Sequence, residues 1–106
     1  MKIFVDIDDT ICHSEIKGDY ESATPFMDRI EKINQLFLEG HDIIFWTARG
    51  SVSGKDWSDL TTRQLNSWGV KYTEIRLGKP SYDLFIDDKN INSETFFDNG
   101  RNNEIK

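Results

Sequence analysis

Three short apolar runs, each ending on a polar side chain, constrain this chain more than any other feature. "KIFVDI" comes first, "DIIFWT" lies mid-chain, and "YDLFI" comes late and runs straight into Asp87 and Asp88. Each run is continuously apolar rather than alternating, and rich in β-branched and aromatic residues. Strands covered on both faces read this way, and such strands belong to parallel sheets. Helical periods fill the intervals. In "TPFMDRIEKINQLFLEGH", Phe26, Ile30, Ile33 and Phe37 form one stripe, with Thr24 expected as the cap, Pro25 at the first helical position and Gly40 as the stop. In "WSDLTTRQLNSWG", Trp57, Leu60, Gln64 with Leu65, and Trp68 form a second face, and Gly69 ends it. A short strand "KYTEIRL", a turn "GKPS" and a short tail helix from Ser93 to Asp98 complete the pattern; from residue 100 the tail reads as frayed.

Strands alternating with helices predict an α/β fold: a doubly wound, Rossmann-like, mainly parallel sheet with right-handed crossovers and helices on both faces. At 106 residues the chain fits one domain, 1–106. Ligands of such sheets bind at the carboxyl ends of the strands. The chemically interesting residues fall there: Asp6 ends the first run, Thr47 the second, Asp87 and Asp88 the last, and Lys79 stands just before that last run.

Composition narrows the partners. A formal charge of -6, from 19 acidic and 13 basic side chains, disfavours nucleic acid or an anionic membrane held through bulk electrostatics. The single cysteine, Cys12, cannot form an internal disulfide. The first residues read as a strand carrying acids rather than as a signal peptide, and no apolar run reaches membrane-spanning length, so a cytoplasmic protein is expected.

Asp6, Asp8 and Asp9 crowd one strand end, and Asp87 and Asp88 another. Two like charges about 4 Å apart repel by about 4 kcal/mol at an effective dielectric of roughly 20. Converging carboxylates therefore either hold protons or share a cation. Oxygen donors without sulfur suit a hard ion such as Mg²⁺, which leaves coordination positions for water and phosphate oxygens. Such an ion with Lys79, the Thr47 hydroxyl and a free carboxylate suits phosphoryl transfer: Asp6 as nucleophile, Asp8 as proton shuttle.

"DIDDT", Thr47 closing "IIFWT", Lys79 in "GKP" and the acid pair of "FIDD" together resemble the four signature motifs of the haloacid-dehalogenase superfamily of phosphohydrolases, in that family's chain order. The resemblance implies Asp6 as nucleophile and metal ligand. It implies Asp8 as general acid/base that also gives its backbone carbonyl to Mg²⁺, and Thr10 as support for the loop. Thr47 and Lys79 would bind phosphate, and Asp87 and Asp88 would ligate the metal. Dehalogenases of the superfamily lack the acid found here as Asp8, which favours phosphate esters. The intervals Ile11 to Thr24 and Ala48 to Lys79 leave no room for the family's cap domain. The chain thus looks like a minimal, capless member, most similar to small phosphatases of capsule and surface-polysaccharide biosynthesis. The implied substrate is a small phosphorylated metabolite such as a sugar phosphate, with loops 12–23 and 49–56, or a neighbouring subunit in a homo-oligomer, as the lid.

Plainer readings stand beside these. The acids at 6–9 alone could be a solvated turn, Lys79 alone a surface lysine and Thr47 alone a strand end. Arg49 is assigned to substrate, with an ordinary ion pair as its alternative. Cys12 reads as a small packed thiol, His13 as a loop histidine, Asp9 as structural, and Phe96-Phe97 as the pair that docks the tail. Other functions fit less well: a phosphatase of phosphoproteins or nucleic-acid 3′ ends, or a non-catalytic, receiver-like signalling module. In receiver modules the threonine and lysine follow both acid elements, whereas here Thr47 and Lys79 precede the second acid pair.

Overall fold

A computed structural model of the chain describes residues 1–98; the frayed tail expected from residue 100 lies outside them. In chain order the elements are β1 (Lys2–Val5), β2 (Cys12–His13), β3 (Thr24–Pro25), α1 (Met27–Leu38), β4 (Asp42–Trp46), α2 (Ser58–Ser67), β5 (Glu74–Arg76) and α3 (Ser93–Asp98), with a 3₁₀ turn at Tyr20–Ser22.

The first two apolar runs pair in parallel, Ile3 beside Ile43 and Val5 beside Phe45, and β5 adds to the far side of β4 with Ile75 beside Phe45. The sheet order is β1-β4-β5. Because side chains alternate across a strand, Ile3, Val5, Ile43, Phe45 and Ile75 share one face. That face carries the core: Ile30 and Ile33 of α1, Leu65 of α2 and Phe96 and Phe97 of α3 all join it. Phe4 and Trp46 lie on the opposite face, edge to face at 6.0 Å, with Phe4 47% exposed. Among the described residues, then, the buried side chains of all three helices gather on one face of a three-stranded parallel sheet.

Two local expectations need correction. Thr24 and Pro25 do not begin α1. They pair antiparallel with His13 and Cys12, and the helix starts at Met27, after Phe26 donates its N–H to the Ile11 carbonyl at 2.8 Å. Pro25 keeps Thr24 extended, which a helix cap and a strand both allow, and the pairing with Cys12 and His13 decides for the strand. "YDLFI" forms no strand: Leu84 and Ile86 are 75% and 88% exposed, and Asp87 and Asp88 lie exposed in irregular chain. β1 consequently has no partner on its outer edge among the described residues.

The tail helix docks as expected. Phe96 and Phe97 are buried edge to face, and Arg29 of α1 lies over the Phe97 ring at 4.9 Å while its Nη2 pairs with Glu94 at 2.9 Å. The other terminal nitrogen, Nη1, donates to the Thr10 carbonyl at 3.1 Å. One side chain thereby ties α3 to the loop after β1.

Candidate active site

β1 ends and the chain turns at once. Ile7 and Ile11 drop fully into the core, and the N–H groups of Thr10 and Ile11 both donate to the Ile7 carbonyl, at 3.1 and 2.9 Å. Burying these two isoleucines leaves Asp6, Asp8, Asp9 and Thr10 on the outside of a tight turn. Asp9 takes a φ of 63°, a left-handed conformation that Asp tolerates better than most residues. Its N–H donates to the Cys12 carbonyl at 2.7 Å and its carboxylate meets His13 Nδ1 at 2.8 Å, which raises the His13 pKa. Asp9 is structural, as expected.

Asp6 is flanked on both oxygens. The Thr10 hydroxyl donates to Oδ2 at 3.3 Å, and the Lys79 ammonium stands 3.4 Å from Oδ1. Burial raises the Asp6 pKa above the ordinary carboxylate value, and Lys79 and the Ile7 N–H oppose that rise in part. Lys79 is 13% exposed at its side chain and reaches across from the loop after β5. Its placement comes from Thr47, whose carbonyl accepts the Lys79 N–H at 3.1 Å while its own N–H extends the sheet to the Arg76 carbonyl. Thr47 is 1% exposed, and its hydroxyl oxygen accepts the Arg49 N–H at 3.1 Å.

Arg49 differs most from its expected role. It is 2% exposed and clasps Asp8 with two hydrogen bonds of 2.9 Å, Nε to Oδ2 and Nη2 to Oδ1. Nη1 donates to the Thr61 hydroxyl at 3.1 Å and to the Gln64 side-chain oxygen Oε1 at 2.7 Å, and Nη2 also faces Cys12 Sγ at 3.9 Å. These contacts engage every N–H of the guanidinium, so the side chain serves Asp8 rather than reaching outward. Tyr20 lies over it at 4.6 Å, and the Tyr20 carbonyl accepts from Gln64 Nε2 at 2.6 Å. Trp57 packs edge-on against Tyr20 at 5.0 Å. The segment between β2 and β3 and the loop after β4 meet at this stack.

The three parallel strand ends thus bring together Asp6, Asp8, Thr10, Thr47, Arg49 and Lys79. Asp87 and Asp88 are not among them, because the run that precedes them is unpaired. The oxygen donors of the acids suit Mg²⁺ in kind, but among the described residues no three His, Cys, Asp or Glu side chains gather into a metal-binding group. The sequence reading missed Thr61 and Gln64. Their signal was present: two polar residues three apart inside the apolar face of α2, where Thr61 is fully buried.

No family model matches the chain, and no curated protein matches it. Among solved structures it is similar to the crystal structure of an MCSG target from Vibrio cholerae, with a TM-score of 0.80 and 26% identity over 97% of this chain and 94% of that one. No helix among the described residues is long and apolar enough to cross a membrane.

Proposed function

We propose that the chain is a Mg²⁺-dependent phosphomonoester hydrolase, a capless member of the haloacid-dehalogenase superfamily, acting on a small phosphorylated metabolite such as a sugar phosphate. The observation that carries this reading is the lysine–carboxylate pair at the strand ends, with the Lys79 ammonium 3.4 Å from Asp6 Oδ1 and the Lys79 backbone fixed to Thr47. A nucleophilic carboxylate needs a cation beside the phosphoryl group it attacks.

In the proposed reaction an Asp6 oxygen attacks phosphorus and the ester P–O bond breaks. The departing alcohol takes its proton from Asp8, leaving an aspartyl-phosphate. Asp8 then takes a proton from water, whose oxygen displaces Asp6 and frees inorganic phosphate. Lys79 would move from Asp6 to the phosphoryl oxygens, and the Thr47 hydroxyl, which accepts from the Arg49 N–H, keeps its own hydrogen to donate there.

Asp6 and the Asp8 carbonyl, joined by Asp87 and Asp88, would hold Mg²⁺, which when bound supplies charge neutralisation at the phosphoryl oxygens. The acid pair reaches the site if Tyr82–Ile86 adds to the open edge of β1 as a fourth strand, as its apolar run suggests, extending the sheet on that side and covering Leu84 and Ile86.

The test is phosphate release from an aryl phosphate and a panel of sugar phosphates and nucleotides, with Mg²⁺ and with EDTA, for the wild type and Asp6→Asn. Metal-dependent release abolished in Asp6→Asn is expected. Folded protein that releases no phosphate from any ester refutes the reading. Hydrogen exchange over residues 82–86 checks the fourth strand: those amides should gain protection on adding Mg²⁺.

A further inference from the structure

We infer that Arg49 is a positioning residue that fixes the orientation of the Asp8 carboxyl, and that Tyr20 fixes Arg49. The inference rests on the phosphatase reading and adds the means by which the proton shuttle is held.

A short acid at a solvent-facing strand end rotates freely unless something aims it. Here the fork of Arg49 meets both oxygens at 2.9 Å, and a planar guanidinium matched to a planar carboxylate fixes tilt as well as distance. The fork is itself immobile, because Thr61 and Gln64 hold Nη1 and the Tyr20 ring covers the guanidinium at 4.6 Å. The carboxyl is therefore held in one direction, as a group that must meet the departing alcohol requires.

A point charge would not do this. Lysine at position 49 supplies the cation but reaches one oxygen at a time. Tyr20 belongs to the segment between β2 and β3, anchored through its carbonyl to Gln64 and through its ring edge to Trp57. Loss of the ring uncovers one face of the fork without touching Asp8.

The experiment exploits leaving groups. An alkyl phosphate needs a proton for its departing alkoxide; a dinitrophenyl phosphate does not. We expect Arg49→Lys to lower kcat on an alkyl phosphate about a hundredfold, the size of effect that general acid catalysis provides. The same variant should lose less than about tenfold on the dinitrophenyl ester, with KM for both within about threefold. Tyr20→Leu should move the same ratio in the same direction by a smaller factor. In Arg49→Ala, added guanidinium ion should restore alkyl ester turnover preferentially. Thermal unfolding gives a readout without turnover: the Tm losses of Asp8→Asn and Arg49→Lys should be non-additive in the double variant.

Equal loss on both esters in folded Arg49→Lys, or additive Tm losses, overturns the inference while the phosphatase reading stands. If Arg49→Lys fails to fold, an unchanged ester ratio in Tyr20→Leu overturns it. A wild type inactive on both esters overturns the phosphatase reading and the shuttle with it.

Discussion

The Arg49 guanidinium holds both oxygens of the Asp8 carboxylate at 2.9 Å, from a side chain that is 1% exposed to one that is 30% exposed. Removing the acid leaves a buried cation without its counter-charge, which costs about 3–5 kcal/mol when the pair is fully buried. Solvent reaches Asp8, so Asp8→Ala is expected to lower the unfolding free energy by about 2–3 kcal/mol in urea, with an unchanged denaturant slope. A loss under about 0.5 kcal/mol would mean that the fork is not formed in solution.

Gly50 carries a second stability prediction. It sits at φ +83°, and a Cβ there would stand 2.1 Å from the Lys55 carbonyl oxygen. The overlap is with backbone, which cannot step aside without opening the loop between Thr47 and Trp57. Gly54, at φ +76°, has open space around the same position. Gly54→Ala should therefore cost only the left-handed backbone term, about 1–2 kcal/mol, and Gly50→Ala clearly more. Because this loop carries Arg49 at one end and Trp57 at the other, Gly50→Ala should also reduce any phosphatase activity. Equal melting temperatures for the two variants would count against the close approach.

Sequence alone made the first two strands, the stripe of α1, the docking of Phe96 and Phe97 and the gathering of Asp6, Thr47 and Lys79 legible, for one reason. Each depends on a local period or on the rule that parallel strand ends share an edge. The start of α1 was less legible, since Thr24 and Pro25 satisfy the rules for a helix start and equally those for an extended pair. Pairing with Cys12 and His13, contacts made across the chain, decided between them. Arg49 illustrates the same limit. Its place after Thr47 suggested substrate, but whether an arginine points outward or inward depends on Thr61, Gln64 and Tyr20, each of them distant in sequence. "YDLFI" has the composition of a covered strand, yet composition does not specify what covers it.

Cys12 should be chemically silent in the native state. It is fully buried, and burial together with the Asp8 charge pushes its thiol up to about 12. The thiolate is the species that alkylates, so native protein at mildly alkaline pH should resist iodoacetamide, and labelling should track global unfolding in urea. Fast labelling of folded protein, read by mass spectrometry, would show that the turn between Asp6 and Cys12 opens on its own.

Asp6 gives a pH dependence whose sign follows from its surroundings. Burial raises its folded pKa above the ordinary value of 3.8, against the partial opposition of Lys79. Between those two values the native state binds more protons than the unfolded chain, so stability falls as pH rises through the window and stays lower above it. Asparagine has no such proton. Without added metal and with EDTA present, the melting temperature of Asp6→Asn relative to wild type should rise from below 3.8 up to the raised pKa and then level off. A difference that stays flat across that range would mean Asp6 is no more desolvated than a surface carboxylate. A difference that falls with pH would mean that Lys79 outweighs burial, leaving Asp6 with a depressed pKa. Mg²⁺ should shrink the high-pH gap, because a cation at Asp6 stabilises its charged form only in the wild type.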